Sequence, residues 1–279
     1  MSPYPESAYQ EFAPAAPLAR FLICTWTQQI GEGERDYPQR VLPDGCTDVV
    51  WTEETPPLVV GPATRTFVAS VPPRSTLIGV RFRPGLAPVL LGAPARLMRD
   101  RQVPLVDLWG ALANRLFEQV AERRTTRDRV RQFETALLDR LDHAGPADTH
   151  PDDVVIAAVA WMAGHPNGRI SALSRAMGIS SRQLHRRFHD AVGYSPKTLQ
   201  RILRFQRLLD LARNKPAPRL DLAALALEAG YADQAHMSRD VRELSACTPT
   251  SVLANPASTL AMADFFKTAH AEPPIIPFD

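Results

Sequence analysis

Two similar blocks near the C-terminus constrain this chain more than any other feature. Ile170 to Pro196 and Leu222 to Pro249 each read as helix, glycine turn, helix and a short loop ending in Ser-Pro or Thr-Pro. Gly178 and Gly230 mark the turns, and Ser195-Pro196 and Thr248-Pro249 close the loops. A unit of this kind buries one face of each helix and leaves one face of the second outward. Two such units joined by one connector can reach two neighbouring major-groove segments, so the pattern implies sequence-specific binding to double-stranded DNA.

The distribution of charge agrees with that reading. The chain of 279 residues carries 32 Lys and Arg against 30 Asp and Glu, a formal net charge of +2. Residues 169–219 alone hold twelve of the basic residues and only Asp190 and Asp210 on the acidic side. The rest of the chain is therefore acidic. A basic segment within an acidic chain is what a phosphate-binding surface requires, whereas a solvated helix face usually alternates its signs.

Local signals place the reading residues. Ser180 and Gln183 stand at capping-box spacing, so a helix starts at Ser181. Leu184 and Phe188, four apart, share its buried face, which turns Arg182, His185 and Arg186 outward. Asp221 and Asp233 are N-caps in the second unit, and Gly230 ends its first helix. Met237 and Val241 then point inward, leaving Gln234, Ala235, Ser238 and Arg239 for the groove. Lys197 to Arg213 reads as one connector helix of roughly 25 Å at about 1.5 Å per residue. That length puts the two half-elements about one DNA turn apart, with Lys197, Arg201, Arg204 and Arg207 available to phosphates. Asp152 and Asp153 cap a preceding helix that buttresses the first unit.

Upstream the pattern changes. Phe21 to Trp26, Cys46 to Trp51, Leu58 to Val60, Arg65 to Val68 and Thr76 to Phe82 are apolar runs of strand length bounded by Pro and Gly, and Pro43-Asp44-Gly45 is a turn signal. Such strands imply a β-barrel or sandwich. Leu105, Leu108, Leu112, Leu116 and Val120, then Val130, Phe133, Leu137 and Leu141, recur at helical spacing. This helical pair either covers the barrel or pairs between subunits. The expected class is thus α+β with two domains: residues 1–143 a sheet-rich effector-binding or dimerisation domain, 144–151 a linker, 152–255 an all-α DNA-binding domain and 256–279 a peripheral tail.

From Val154 to Leu253 the chain resembles the DNA-binding domain of the AraC/XylS family of bacterial transcription regulators. Leu184-His-Arg-Arg-Phe188, Gly193-Tyr-Ser-Pro196, Arg204 to Ala212, Ala229-Gly-Tyr-Ala-Asp-Gln234 and Thr248-Pro249 carry the likeness. The resemblance implies that Arg182, His185 and Arg186 read bases in the first unit, and Gln234, Ala235, Ser238 and Arg239 in the second. It departs from the common pattern at Met237, Val241 and Ala246, the last standing where glycine is usual. The N-terminal half resembles, through Leu42-Pro-Asp-Gly-Cys-Thr-Asp48 and Gly79-Val-Arg-Phe-Arg-Pro-Gly85, the cupin-like sensor domains that precede this module. This implies a small-molecule effector or a homodimer contact, with RNA polymerase as a further partner. Inward side chains near Trp26, Trp51, Arg81 and Phe82 are the effector-site candidates.

Other functions have less to stand on. A cupin-type metal enzyme needs two or more histidines with a carboxylate, yet all seven histidines lie beyond residue 142. Asp44, Cys46 and Asp48 are the remaining candidates, and turn and strand start explain them better. No Gly-rich phosphate loop or nucleophile elbow is present, so neither an enzyme nor a cofactor or metal is expected. A protein partner for the N-terminal half and nonspecific nucleoid binding remain as alternatives. No run of about 20 apolar residues or signal peptide is found, so the expected location is cytoplasmic, with no membrane. Cys24, Cys46 and Cys247 read as reduced thiols, with a redox role for Cys46 as the alternative.

Overall fold

The computed structural model describes residues 6–33, 35–143, 150–214 and 221–254. Most of the expected linker and all of the expected tail from 256 onward therefore lie outside the described residues, as do Lys215 and Arg219.

Among the described residues the first half holds eight strands: β1 (Ser7–Phe12), β2 (Leu22–Ile30), β3 (Tyr37–Val41), β4 (Thr47–Thr52), β5 (Leu58–Val60), β6 (Phe67–Val71), β7 (Thr76–Phe82) and β8 (Gln102–Pro104). Six form an antiparallel sheet in the order β1-β2-β7-β4-β5-β8, and β3 pairs with β6 as a separate two-stranded ribbon. Alternation along each strand decides what faces where. Val49 and Trp51 on β4, Val59 on β5, and Ile78, Val80 and Phe82 on β7 point to one side and join a single apolar core. Cys24 and Trp26 on β2, with Leu77 on β7, point to the other side, toward Val71 of the ribbon.

The helical pair covers the first side. After α1 (Ala87–Leu91) and α2 (Val106–Trp109), α3 (Ala111–Ala121) and α4 (Thr126–His143) bury Leu116, Val120, Val130, Phe133 and Leu137 in the same core as Trp51 and Phe82. The apolar stripe of this pair is thus spent on the sheet. Leu112, counted in the stripe from its spacing, instead lies 44% exposed. The ribbon roofs the second side and leaves a barrel-like space between itself and the sheet.

Among the described residues, the regular elements of the second half are helices: α5 (Asp153–Gly164), α6 (Ile170–Ala176), α7 (Ser181–Ala191), α8 (Pro196–Arg213), α9 (Leu222–Ala229), α10 (Gln234–Ser245) and α11 (Pro249–Ala254). The starts follow from capping chemistry. Asp152 accepts from the backbone N–H of Val154 and Val155, Asp221 from Ala223 and Ala224, and Asp233 from His236. Ser180 and Gln183 form the full capping box. Each Ser/Thr-Pro pair is a helix start: Ser195 Oγ accepts from Thr198 N–H and Thr248 Oγ1 from Ser251 N–H, with proline at the first helical position where no N–H is needed. One core runs the length of α8 through Leu199, Ile202, Leu203, Phe205, Leu208 and Leu209. It also takes in Leu42 and Cys46 from the sheet half, so the two halves share buried surface.

Candidate nucleic-acid interface and effector cavity

Both helix-turn-helix units are built, and their second helices are held by the residues that spacing picked out. On α7, Leu184 and Phe188 are fully buried, and on α10 Met237 and Val241 are. Arg182, His185 and Arg186 are exposed on α7. Gln234, Ala235 and Arg239 are exposed on α10, and Ser238 is half-buried. Gly230 ends α9 at φ 94°, where an added Cβ would lie 2.7 Å from Pro166 Cβ, so turn conformation and space both require glycine. The position that departs from the family pattern takes the same backbone shape: Ala246 ends α10 at φ 57°, ψ 18°, in the left-handed region.

The connector corrects the expectation for its basic residues. Lys197 is exposed, but Arg204 is only 8% exposed. Its NH2 lies 3.6 Å from Asp240 Oδ2 and its guanidinium sits 5.2 Å from the centre of the Tyr231 ring. Arg201 donates to Asp240 at 3.0 Å and pairs with Glu243, and Arg207 donates to the Glu228 carbonyl. Arg204 faces inward because α9 and α10 pack on that side of α8, and the helical period turns it there with Leu203 and Leu208. Arg201 and Arg204 thus tie α8 to the second unit, and Arg204 does not present its charge to solvent. Some of the basic excess of residues 169–219 is consumed internally.

The sheet half touches all three parts of this assembly. At the first unit, Arg96 pairs with Asp190 at 3.2 Å, and Gly193 lies so close to Pro62 and Ala95 that a Cβ would meet them at 3.0 and 3.1 Å. At the second, Thr66 donates from N–H and Oγ1 to the Leu244 carbonyl, and Arg40 donates to Ser245 O and Cys247 Sγ. At the connector, Gln206 Nε2 donates to Pro43 O at 2.6 Å. Pro43 belongs to the turn whose Gly45, at φ 89°, packs near Leu199 of α8.

The space between ribbon and sheet is a cavity of about 430 Å³ lined by apolar side chains such as Val50, Leu58, Phe67 and Leu77 and by a polar group at one side. Arg81 is central to that group. It sits in register with Asp48 on β4 and Cys24 on β2, is 3% exposed, and donates from Nε and NH2 to both oxygens of Asp48 at 3.1 and 2.9 Å. Asp44 lies 3.8 Å and Glu11 3.5 Å away. Burial opposes the Arg81 charge, but Asp48, Tyr9 and Asp44 outweigh it and hold the guanidinium well above its usual pKa. Burial pushes the Asp44 carboxyl up to about 6, against Arg81 and with the repulsion of Asp48. Trp26 lies over Gly79 and donates to Asp48 Oδ2 at 3.2 Å. Gln28 and Gln39, both buried, are joined by a 2.6 Å hydrogen bond, and Gln28 Oε1 accepts none.

Of the four effector-site candidates, the structure brings Trp26 and Arg81 to this cavity. Trp51 and Phe82 are corrected: both are fully buried on the opposite face, against α3 and α4. The reason is the period of two, which sends neighbours such as Arg81 and Phe82 to opposite sides. Gln28, Gln39, Asp44 and Asp48 line the cavity and were not picked out as a binding site. Asp48 and Val50 alternate with Val49 and Trp51, and a charged residue at that inward position was the signal available. The Cys46 thiol is pushed up by burial and by Asp44, which opposes thiolate chemistry. Among the described residues no group of three His, Cys, Asp or Glu is placed to hold a metal ion, and no helix is long and apolar enough to cross a membrane.

Comparison with known proteins agrees at the level of domains. Residues 173–255 match the family described as "Helix-turn-helix domain", and residues 10–104 match "Domain of unknown function (DUF6597)". No curated protein matches the chain. Among solved structures it is similar to ToxT from Vibrio cholerae, at 9% identity over 90% of this chain and 98% of that one, with a TM-score of 0.41. It is also similar to the same protein bound to (E)-4-(8-methylnaphthalen-1-yl)but-3-enoic acid, at 8% identity over 91% and 99% with a TM-score of 0.42.

Proposed function

We propose that this chain, whose C-terminal third is an AraC-type helix-turn-helix domain, is a sequence-specific transcription regulator controlled by a small molecule in the barrel-like cavity. The observation that carries the reading is the pair of outward faces, Arg182, His185 and Arg186 on α7 and Gln234, Ala235 and Arg239 on α10, presented by two units packed on one continuous helix. Eighteen residues of α8 span about 27 Å. That separation suits two major-groove segments on one face of a duplex. Arg186 and Arg182 suit guanine, which a guanidinium grips through two acceptors, and Lys197 suits a phosphate. Bound at a promoter, the regulator acts on transcription through RNA polymerase.

Control follows from how the sheet half holds the reader. Its contacts fall on both units and on the connector, so a change in the sheet half alters the arrangement the two reading helices adopt together. A ligand acts by favouring one arrangement over another. The test is a comparison of two single substitutions on a duplex selected by the wild-type chain and on random duplex. Arg186→Ala is expected to lose about 1 to 3 kcal/mol on the selected site and little on random DNA, whereas Lys197→Ala weakens both alike. Equal losses for both variants on both duplexes overturn the assignment.

A further inference from the structure

The cavity's polar side is out of balance in charge and in hydrogen bonding, and both imbalances have the same sign. One guanidinium, Arg81, stands among three carboxylates, Asp48, Asp44 and Glu11. Asp48 takes both of the guanidinium's short hydrogen bonds and a third from Trp26. Glu11 accepts from the Tyr9 hydroxyl at 2.7 Å. Asp44 accepts from Cys46 N–H and from its own backbone N–H, and its nearest positive charge, Arg81 Nε, stands off at 3.8 Å. Gln28, 2% exposed and lining the same cavity, has an Oε1 that accepts no hydrogen bond, while its amide nitrogen is used on Ser7 and Gln39. A buried acceptor without a donor is costly, and an incompletely matched carboxylate more so. Both deficits are met by a group that donates hydrogen bonds and carries positive charge. Away from this group the lining is apolar at Val50, Leu58, Val60, Phe67, Val71 and Leu77, and its other charged residues are Glu53, Glu54 and Arg74, the last paired with Glu32 at 3.0 Å.

Resting on the reading of the cavity as the effector site, we propose that its ligand is an organic cation: an apolar body with a protonated amine or amidinium head, the head against Asp44 and Gln28 and the body under the ribbon. A carboxylate ligand is disfavoured because Arg81 already has its bidentate partner in Asp48, and an incoming anion meets the Asp44 carboxylate in the cavity wall. An uncharged alcohol satisfies Gln28 but leaves Asp44 as it was. The head's position also gives occupancy a route to the reader. Asp44 is flanked by Pro43, whose carbonyl holds Gln206 of α8, and by Gly45, which packs on Leu199 of the same helix.

The test holds the apolar body constant and varies the head. The full-length protein is titrated calorimetrically with n-octylamine, n-octanol and sodium octanoate at neutral pH, well below micellar concentrations. Octylamine is expected to bind about tenfold or more tighter than either other probe, the ratio a charge-assisted hydrogen bond supplies in a desolvated site. Asp44→Asn keeps the acceptor for Cys46 N–H and is expected to remove about that factor for octylamine while leaving octanol unchanged. Ala69→Trp fills the cavity from the ribbon and is expected to abolish binding of octylamine. Undiminished octylamine binding to Ala69→Trp overturns the proposal, because the amine then binds elsewhere. Preference for octanoate, lost in Ala69→Trp, overturns the ligand class and leaves the cavity reading in place. Binding of none of the three overturns both, while DNA selection decides the regulator reading separately.

Discussion

Replacing Asp240 with alanine isolates the strut that joins the connector to the second reading unit. Asp240 is 6% exposed and faces Arg204, itself 8% exposed, together with Arg201. Without the carboxylate, Arg204 is left as a buried charge, which ordinarily destabilises by about 3 to 5 kcal/mol. Two contacts soften the loss: the Tyr231 ring keeps roughly 1 kcal/mol of cation–π attraction, and Arg201 keeps Glu243. The expected loss is therefore about 3 kcal/mol, read from urea unfolding as a lower midpoint at unchanged slope. The double variant Arg204→Met with Asp240→Leu should recover most of it, since matched apolar groups replace a buried pair at little cost. Arg204→Met should also leave the salt dependence of DNA binding unchanged, whereas Lys197→Ala lowers the slope by about one. A loss below about 1 kcal/mol for Asp240→Ala, or a reduced salt slope for Arg204→Met, refutes the strut and returns Arg204 to the phosphates.

Three further outcomes follow from local geometry. Ala246→Gly should stabilise the protein by about 0.5 to 1 kcal/mol in thermal melts, because alanine is held at φ 57° where glycine is at no disadvantage; a lower melting temperature contradicts this. Gly79→Ala places a Cβ 2.2 Å from the Trp26 ring, so Trp26 must leave Asp48, with a loss of about 1 to 3 kcal/mol and a change in tryptophan emission; wild-type stability and spectrum tell against the stacking. The Asp44 carboxyl titrates near 6 in the folded chain, facing Arg81, Asp48, Cys46 and Tyr194, and near 3.9 unfolded. The folded state then holds the proton more tightly, so its contribution to stability is present below about pH 4 and lost as pH rises through 6. Asp44→Asn should flatten that fall, by at most about 3 kcal/mol at pH 7; an unchanged pH profile is evidence that Asp44 is not the group responsible.

Much of the reader was legible because its signals are local. Ser180 with Gln183, Asp221, Asp233 and Gly230 act within one helical turn, and each stands where its spacing put it. The burial of Leu184, Phe188, Met237 and Val241 follows from the helical period alone. Arg204 was misread because its partner is 36 residues away on α10, and no local pattern announces a buried guanidinium. β1, β3 and β8 escaped notice for related reasons. Ser7–Phe12 alternates in burial but not in polarity, with Gln10 and Glu11 adjacent, β3 carries Pro38, and β8 has three residues; each is completed by pairing with another strand. Trp51 and Phe82 were placed beside Arg81 as one site, yet sheet faces separate them. The contacts of Arg40, Thr66 and Gln206 between the halves depend on tertiary arrangement, and nothing in their neighbours reveals it.

The measurement that bears most directly on the central claim is selection of bound duplexes from a random pool by the purified full-length chain at physiological salt, repeated with Arg186→Ala and Arg239→Ala. The expected result is an enriched site with two elements about one helical turn apart, one relaxed by each substitution. Failure to enrich any sequence, or a single element indifferent to both substitutions, contradicts it.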